Sequence, residues 1–99
     1  MKLAVFLSDW RRTEDTLERL KADKLGIILV ENGIYHAVVK EGGKESSVLS
    51  KAGATFYALT DDIETRGYTT ANLSSKVKPI SYADIVDLIM NDYERIAWL

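Results

Sequence analysis

Ninety-nine residues, 46% of them apolar and 28% charged, supply enough interior for one packed domain, residues 1–99, and not for two. A formal charge of −2 offers no general attraction to phosphate backbones, so direct nucleic-acid binding is not expected. The absence of cysteine excludes disulfides, thiolate metal sites and every cysteine nucleophile. The apolar runs, such as residues 27–30, are far shorter than the ~20 residues of a membrane-spanning helix.

The chain opens Met1-Lys2-Leu3-Ala4-Val5-Phe6-Leu7, basic and then apolar, but Asp9, Arg11 and Arg12 follow without a small-residue cleavage site. The run therefore reads as a first strand, residues 3–7, and the expected compartment is the cytoplasm. Residues 13–24 read as a helix whose narrow apolar stripe, Leu17 and Leu20, suits partial exposure. Residues 26–31 form the next β-rich run, nearly continuous in apolar residues, as in a central strand covered on both faces. Residues 27–39 then pose a conflict. Asn32-Gly33 between two β-rich runs is a strong hairpin signal, whereas Asn32 as an N-cap would start a helix at Gly33 that buries Ile34, Ala37 and Val38.

Residues 40–53 are polar and glycine-containing, a loop with one helical turn at most, over 46–51. A third strand is expected at 54–59. A short helix should start near Thr60, where Asp61 and Asp62 complement its positive end, and stop at Gly67 after Arg66. The run 76–80 contains Pro79 and alternates with lysines, so it belongs at an edge of the sheet. Ser81-Tyr82-Ala83-Asp84 fits a capping box, and Tyr82, Ile85, Val86 and Ile89 then repeat at helical spacing. A last strand follows at 95–99. Strands alternating with helices define an α/β protein, a three-layer α/β/α arrangement with a mainly parallel sheet of about five strands.

Three stretches carry a resemblance to a known family. The first is Glu31-Asn32-Gly33-Ile34-Tyr35 with Ala37; the second is Phe56-Tyr57-Ala58-Leu59, Asp61-Asp62-Ile63 and Arg66-Gly67-Tyr68. The third runs Ile80-Ser81-Tyr82-Ala83-Asp84-Ile85-Val86-Asp87-Leu88 and closes with Ala97-Trp98-Leu99. In order and spacing these resemble the DsrH/TusB family of small subunits in DsrEFH- and TusBCD-like sulfur-relay assemblies. The resemblance favours the helix over the hairpin after residue 32. It implies partners of the same fold that bear the reactive cysteine, DsrE/TusD-like and DsrF/TusC-like paralogues, and service to tRNA wobble 2-thiouridine formation or dissimilatory sulfur metabolism. Some members have a cysteine in the first helix, where this sequence has Leu17-Glu18-Arg19-Leu20-Lys21. Persulfide transfer needs a thiolate, so this chain cannot carry sulfur and is expected to be a non-catalytic subunit. No cofactor is implied. A different reading is a self-associating small domain that binds an anion at the strand ends.

Asn32 and Gly33 lie beyond a strand's C-terminal end, where open α/β sheets place their sites. They form either a binding loop with exposed amides or a turn that needs those residues for backbone reasons. Asp62 and Arg66 stand four apart, as a helical ion pair does, while Asp61 and Asp62 could instead act as paired carboxylates. His36 is the lone histidine, too few for an ordinary zinc site, and Ser8 lacks a nucleophile-elbow setting. Trp10, and Arg66-Gly67-Tyr68, combine arginine with an aromatic residue and are expected to anchor an interface.

Overall fold

Each apolar run of the sequence becomes a strand because its neighbours cover it. The computed structural model describes residues 2–8, 23–39, 49 and 53–98. Strands β1 (Lys2–Leu7), β2 (Lys24–Leu29), β3 (Ala54–Leu59), β4 (Val77–Ile80) and β5 (Arg95–Trp98) form one sheet in the order β4-β3-β2-β1-β5. Every pairing is parallel. β2 lies at the centre, buried from Leu25 onward, and Pro79 lies on the outermost strand β4, where a missing N–H does least harm. β1 and β4 each differ from the sequence reading by one residue at their start, and β2 differs more, at both ends. Lys24 opens β2 instead of closing a helix, and the ladder ends at Leu29, two residues before Glu31. Residues 13–22 of the expected first helix, residues 40–48 and 50–52 of the expected loop, and Trp10 lie outside the described residues.

Residues 31–39 resolve the conflict in favour of helix. A 3₁₀ turn, Glu31–Ile34, runs into a single α-helical turn, α1 (Tyr35–Val38). A hairpin would need an open edge on β2, but β1 and β3 occupy both sides of that strand. Ile34 and Ala37 are buried as expected, while Val38 is only half-buried. Asn32 is not the N-cap: no side chain caps the turn, and Val30 precedes it in extended conformation. Gly33 is required for a reason other than its freedom of φ. A Cβ there would overlap the carbonyl of Leu7, because the turn lies directly on the end of β1. Beside this contact, the Val30 N–H donates to the Leu7 carbonyl at 3.1 Å.

Helix α2 (Thr60–Thr65) ends through Arg66, and Gly67 takes a positive φ of 82°, the expected stop. Helix α3 (Tyr82–Asn91) begins with the expected capping box: the Asp84 N–H donates to Ser81 Oγ, and the Ser81 N–H donates to Asp84 Oδ2, both at 3.2 Å.

The two faces of the sheet build separate cores. Leu3, Val5, Leu7, Ile27, Leu29, Phe56 and Ala58 pack with Ile34, Ala37 and Ile63, so α1 and α2 cover one face. Ala4, Phe6, Ile28 and Ile80 pack with Ile85 of α3 on the other. This division follows from connectivity. The steps from β1 to β4 all run one way across the sheet, and the step to β5 runs back, so right-handed crossovers place α3 on the opposite side.

On the α3 face the Tyr93 ring lies over Gly26, so closely that a Cβ would meet its hydroxyl, and Lys24 Nζ sits 5.0 Å from the ring centroid. Burial, and then the neighbouring Tyr57, push the Tyr93 phenol well above its ordinary value.

Two outcomes follow. Gly33→Ala should destabilise the fold by about 2 kcal/mol or more, read from the denaturation midpoint, because the added methyl has only the Leu7 backbone to displace. For Tyr93 the folded pKa is raised, so its contribution is fully present below the unfolded phenol value of about 10 and is lost as pH rises beyond it. Stability against urea should therefore decline above about pH 10 in the wild type. Tyr93→Phe should remove that part of the decline.

Candidate functional site

Strand ends in an open parallel sheet leave a crevice at their carboxyl edge, and here that edge gathers most of the polar residues singled out in the sequence. Asn32 follows β2, and Asp62 and Arg66 belong to α2 and its end after β3. The Glu31 N–H donates to Asp62 Oδ2 at 2.7 Å. Arg66 Nε and Nη2 both donate to Asn32 Oδ1 at 3.2 Å, and Nη1 lies 3.9 Å from Asp62 Oδ1. Asp62 and Arg66 are thus the expected helical pair, widened into a knot that ties the β2 turn to α2. Glu31 sits at its centre with φ +50°, uncommon for a residue with a side chain.

The knot occupies several of these groups within the fold. Of the two amides expected to meet an anion, that of Gly33 is used internally, donating to the Val30 carbonyl at 2.8 Å, and the neighbouring Glu31 N–H is taken by Asp62. The Asp62 carboxylate faces Arg66 and a backbone amide, not Asp61, which does not support a paired acid and base. Among the described residues no three His, Asp or Glu side chains converge as a metal site would need. His36 is buried in α1. Gly67 and Tyr68 stand apart from the knot: Tyr68 is half-buried, its ring edge-on to Tyr35 with centroids 6.1 Å apart, so the aromatic expected to be exposed is partly used within the fold.

A cleft of about 410 Å³ opens beside the knot on the α3 face. Phe6, Val30 and Leu59 line its floor, Tyr82, Val86 and Ile89 one wall, Trp98 the other, and Glu31 and Asp62 stand at its end. Trp98 stacks on Phe6 with centroids 4.7 Å apart and planes 16° from parallel, yet remains 64% exposed. Tyr82 and Val86, expected from their spacing to face the core, are exposed, and Ile85 alone is fully buried from α3. Sequence reasoning missed Glu31, Phe6 and Trp98 as site residues. The available signal was the alternation Ile96, Trp98 in the last strand, which sets both on one face, together with an apolar stripe on α3 too broad for one contact.

By fold the molecule is an α/β protein with a parallel five-stranded sheet and a crevice at its carboxyl edge. Two solved structures share that fold. A protein of unknown function from Methanobacterium thermoautotrophicum, MTH1491, superposes with a TM-score of 0.71 at 15% identity over 97% of both chains. Protein Tm0979 from Thermotoga maritima superposes with a TM-score of 0.61 at 26% identity over 90% of this chain and 93% of that one. The family profile described as DsrH like protein matches residues 8–94, and the chain belongs to this DsrH/TusB family. It is 33% identical over 84 residues to Protein TusB of Photorhabdus laumondii, 85% of each chain, and 32% identical over 91 residues to Protein TusB of Cronobacter sakazakii, 92% of this chain and 93% of that one.

Asp62→Ala should cost about 1–2 kcal/mol of stability, since it strips the Glu31 amide of its acceptor and Arg66 of its anion. A double-mutant cycle between Asp62 and Arg66 should give only about 0.3–0.5 kcal/mol, the ordinary worth of a helical pair, because the backbone bond carries most of the loss.

Proposed function

We propose that this chain is a non-catalytic subunit of a cytoplasmic sulfur-relay complex of the DsrEFH or TusBCD kind, in which it supports a sister subunit that bears the reactive cysteine. The observation that carries this reading is the family match over residues 8–94. The chemistry of the chain narrows the role: with no cysteine it has no thiolate to accept sulfane sulfur, so its contribution is to shape and hold the assembly. The closed hydrogen-bonding of Asn32, Asp62 and Arg66 supports a structural use of the strand ends. Sulfur passed through the complex would serve 2-thiolation of the tRNA wobble uridine or a dissimilatory sulfur pathway. Among the described residues no helix is long and apolar enough to cross a membrane.

The test is co-expression with the cysteine-bearing DsrE/TusD-like and DsrF/TusC-like paralogues, followed by size-exclusion chromatography. Co-elution in a fixed ratio is expected, and elution of this chain as a lone monomer at high concentration beside intact paralogues would overturn the reading. When a cysteine desulfurase and radiolabelled cysteine are added, reductant-sensitive label should appear on a sister subunit and none on this chain.

A further inference from the structure

Among the described residues, the face of the sheet that carries α3 is wider than its cover. Five strands spaced ~4.8 Å apart span roughly 19 Å between outer axes, whereas one helix with its side chains is about 10 Å across. α3 buries Ile85 among Ile28 and Ile80, on the β2 to β4 side. Trp98 of β5, stacked on Phe6 of the floor, forms the far wall of an open cleft, with no described helix above it. Tyr82 and Val86 face the same space from α3, and Met90 and Ile96 continue the exposed apolar surface beyond it.

The cleft is charged at one end. Glu31 and Asp62 both line it. Asp62 is engaged by Arg66, but the Glu31 side chain has no hydrogen bond or ion pair among the described residues, and its backbone is pinned at positive φ by the Asp62 carboxylate. An apolar trough that ends in a free carboxylate complements a segment with an apolar side chain next to a cation, and it repels an anion. The exposed surface past the cleft argues for a macromolecule, since a ligand filling about 410 Å³ would leave Met90 and Ile96 in water.

We infer that the cleft between α3 and β5 is the docking surface for a sister subunit, which seats an apolar or aromatic side chain between Tyr82 and Trp98 and places a lysine or arginine against Glu31. This deepens the subunit reading and rests on it. Trp98 is the anchor, being an aromatic already stacked on one side and open on the other. Glu31 sets the register of the docked segment.

The experiment uses the full chain with Trp10→Phe, which leaves Trp98 as its single tryptophan, and the unsubstituted chain is titrated in parallel by calorimetry as the wild-type reference for affinity. Purified cysteine-bearing sister subunits are titrated in, with their own tryptophans replaced, and acrylamide quenching of Trp98 is followed. Quenching should fall several-fold on binding. Glu31→Lys should weaken binding by about tenfold and reverse its salt dependence, Tyr82→Ala should weaken it less, and Lys78→Ala on the opposite edge strand should leave it unchanged. Thermal melts establish that each variant is folded. Binding that leaves Trp98 equally quenchable, with Glu31→Lys and Tyr82→Ala as tight as wild type, would overturn the docking surface and leave the subunit reading standing. No binding by the wild type would overturn both. Shielding of Trp98 that grows with the concentration of this chain alone would assign the cleft to a second copy, and shielding at high dilution that solvent extraction abolishes would assign it to a small ligand; either result overturns the proposal.

Discussion

The handedness of the crossovers is the constraint on which the rest of this structure depends. Three connections step one way across the sheet and the fourth steps back past three strands, so a right-handed path leaves α3 on its own side. Both cores follow from this. One face gathers Ile34, Ala37 and Ile63 over the interior strands, and the other depends on Ile85 and the half-buried residues around it. A parallel sheet is ordinarily covered on both sides; here, among the described residues, the cover on one side is narrow, and the exposed aromatic surface results from that geometry and not from an excess of apolar residues.

At the carboxyl edge a second economy operates. β2 must turn sharply onto the end of β1, and the chain does so with a glycine whose missing Cβ admits the Leu7 carbonyl. The turn forces Glu31 to positive φ, a conformation that needs outside support to persist. Asp62, reaching from α2 after β3, supplies it through one short bond to the Glu31 amide, and Arg66 joins the carboxylate to Asn32. Polar residues that look like chemistry in the sequence are thus the fastening of a strained corner, while the side chain that the strain sets free, that of Glu31, projects into the cleft.

The strands were legible because burial on both faces leaves near-continuous apolar runs, and the ends of α2 and α3 were legible because Gly67, Ser81 and Asp84 act on backbone a few residues away. Residues 31–39 were not legible from propensity. Their Asn-Gly signal is local, whereas the decision is tertiary: β2 has no free side, and Ile34 is buried among residues from both neighbouring strands. Family resemblance carried that information where turn chemistry could not. For the site, Asn32, Asp62 and Arg66 are brought together by the fold, but Asn32 is not the N-cap its local sequence suggested, because its partner stands 34 residues along the chain. Helical spacing placed Tyr82 and Val86 toward a core that is too narrow to take them. The alternation of Ile96 and Trp98 sets both on one face but does not say which face is left uncovered, so the exposure of Trp98 emerged only with the fold.

The two outer strands of the sheet are not equivalent. β4 carries Pro79, which has no N–H to donate, beside an exposed Lys78, and both discourage another strand from adding there. β5, Arg95–Trp98, has no proline, and its row of peptide groups on the side away from β1 has no partner strand among the described residues. The sheet is therefore terminated at one border and extensible at the other, so any growth of the array, productive or aberrant, has a direction written into it. A chain that aggregates when its surface is left uncovered should do so through β5, and a lysine at Ala97 or a proline at Ile96 would be the economical way to keep it soluble in isolation.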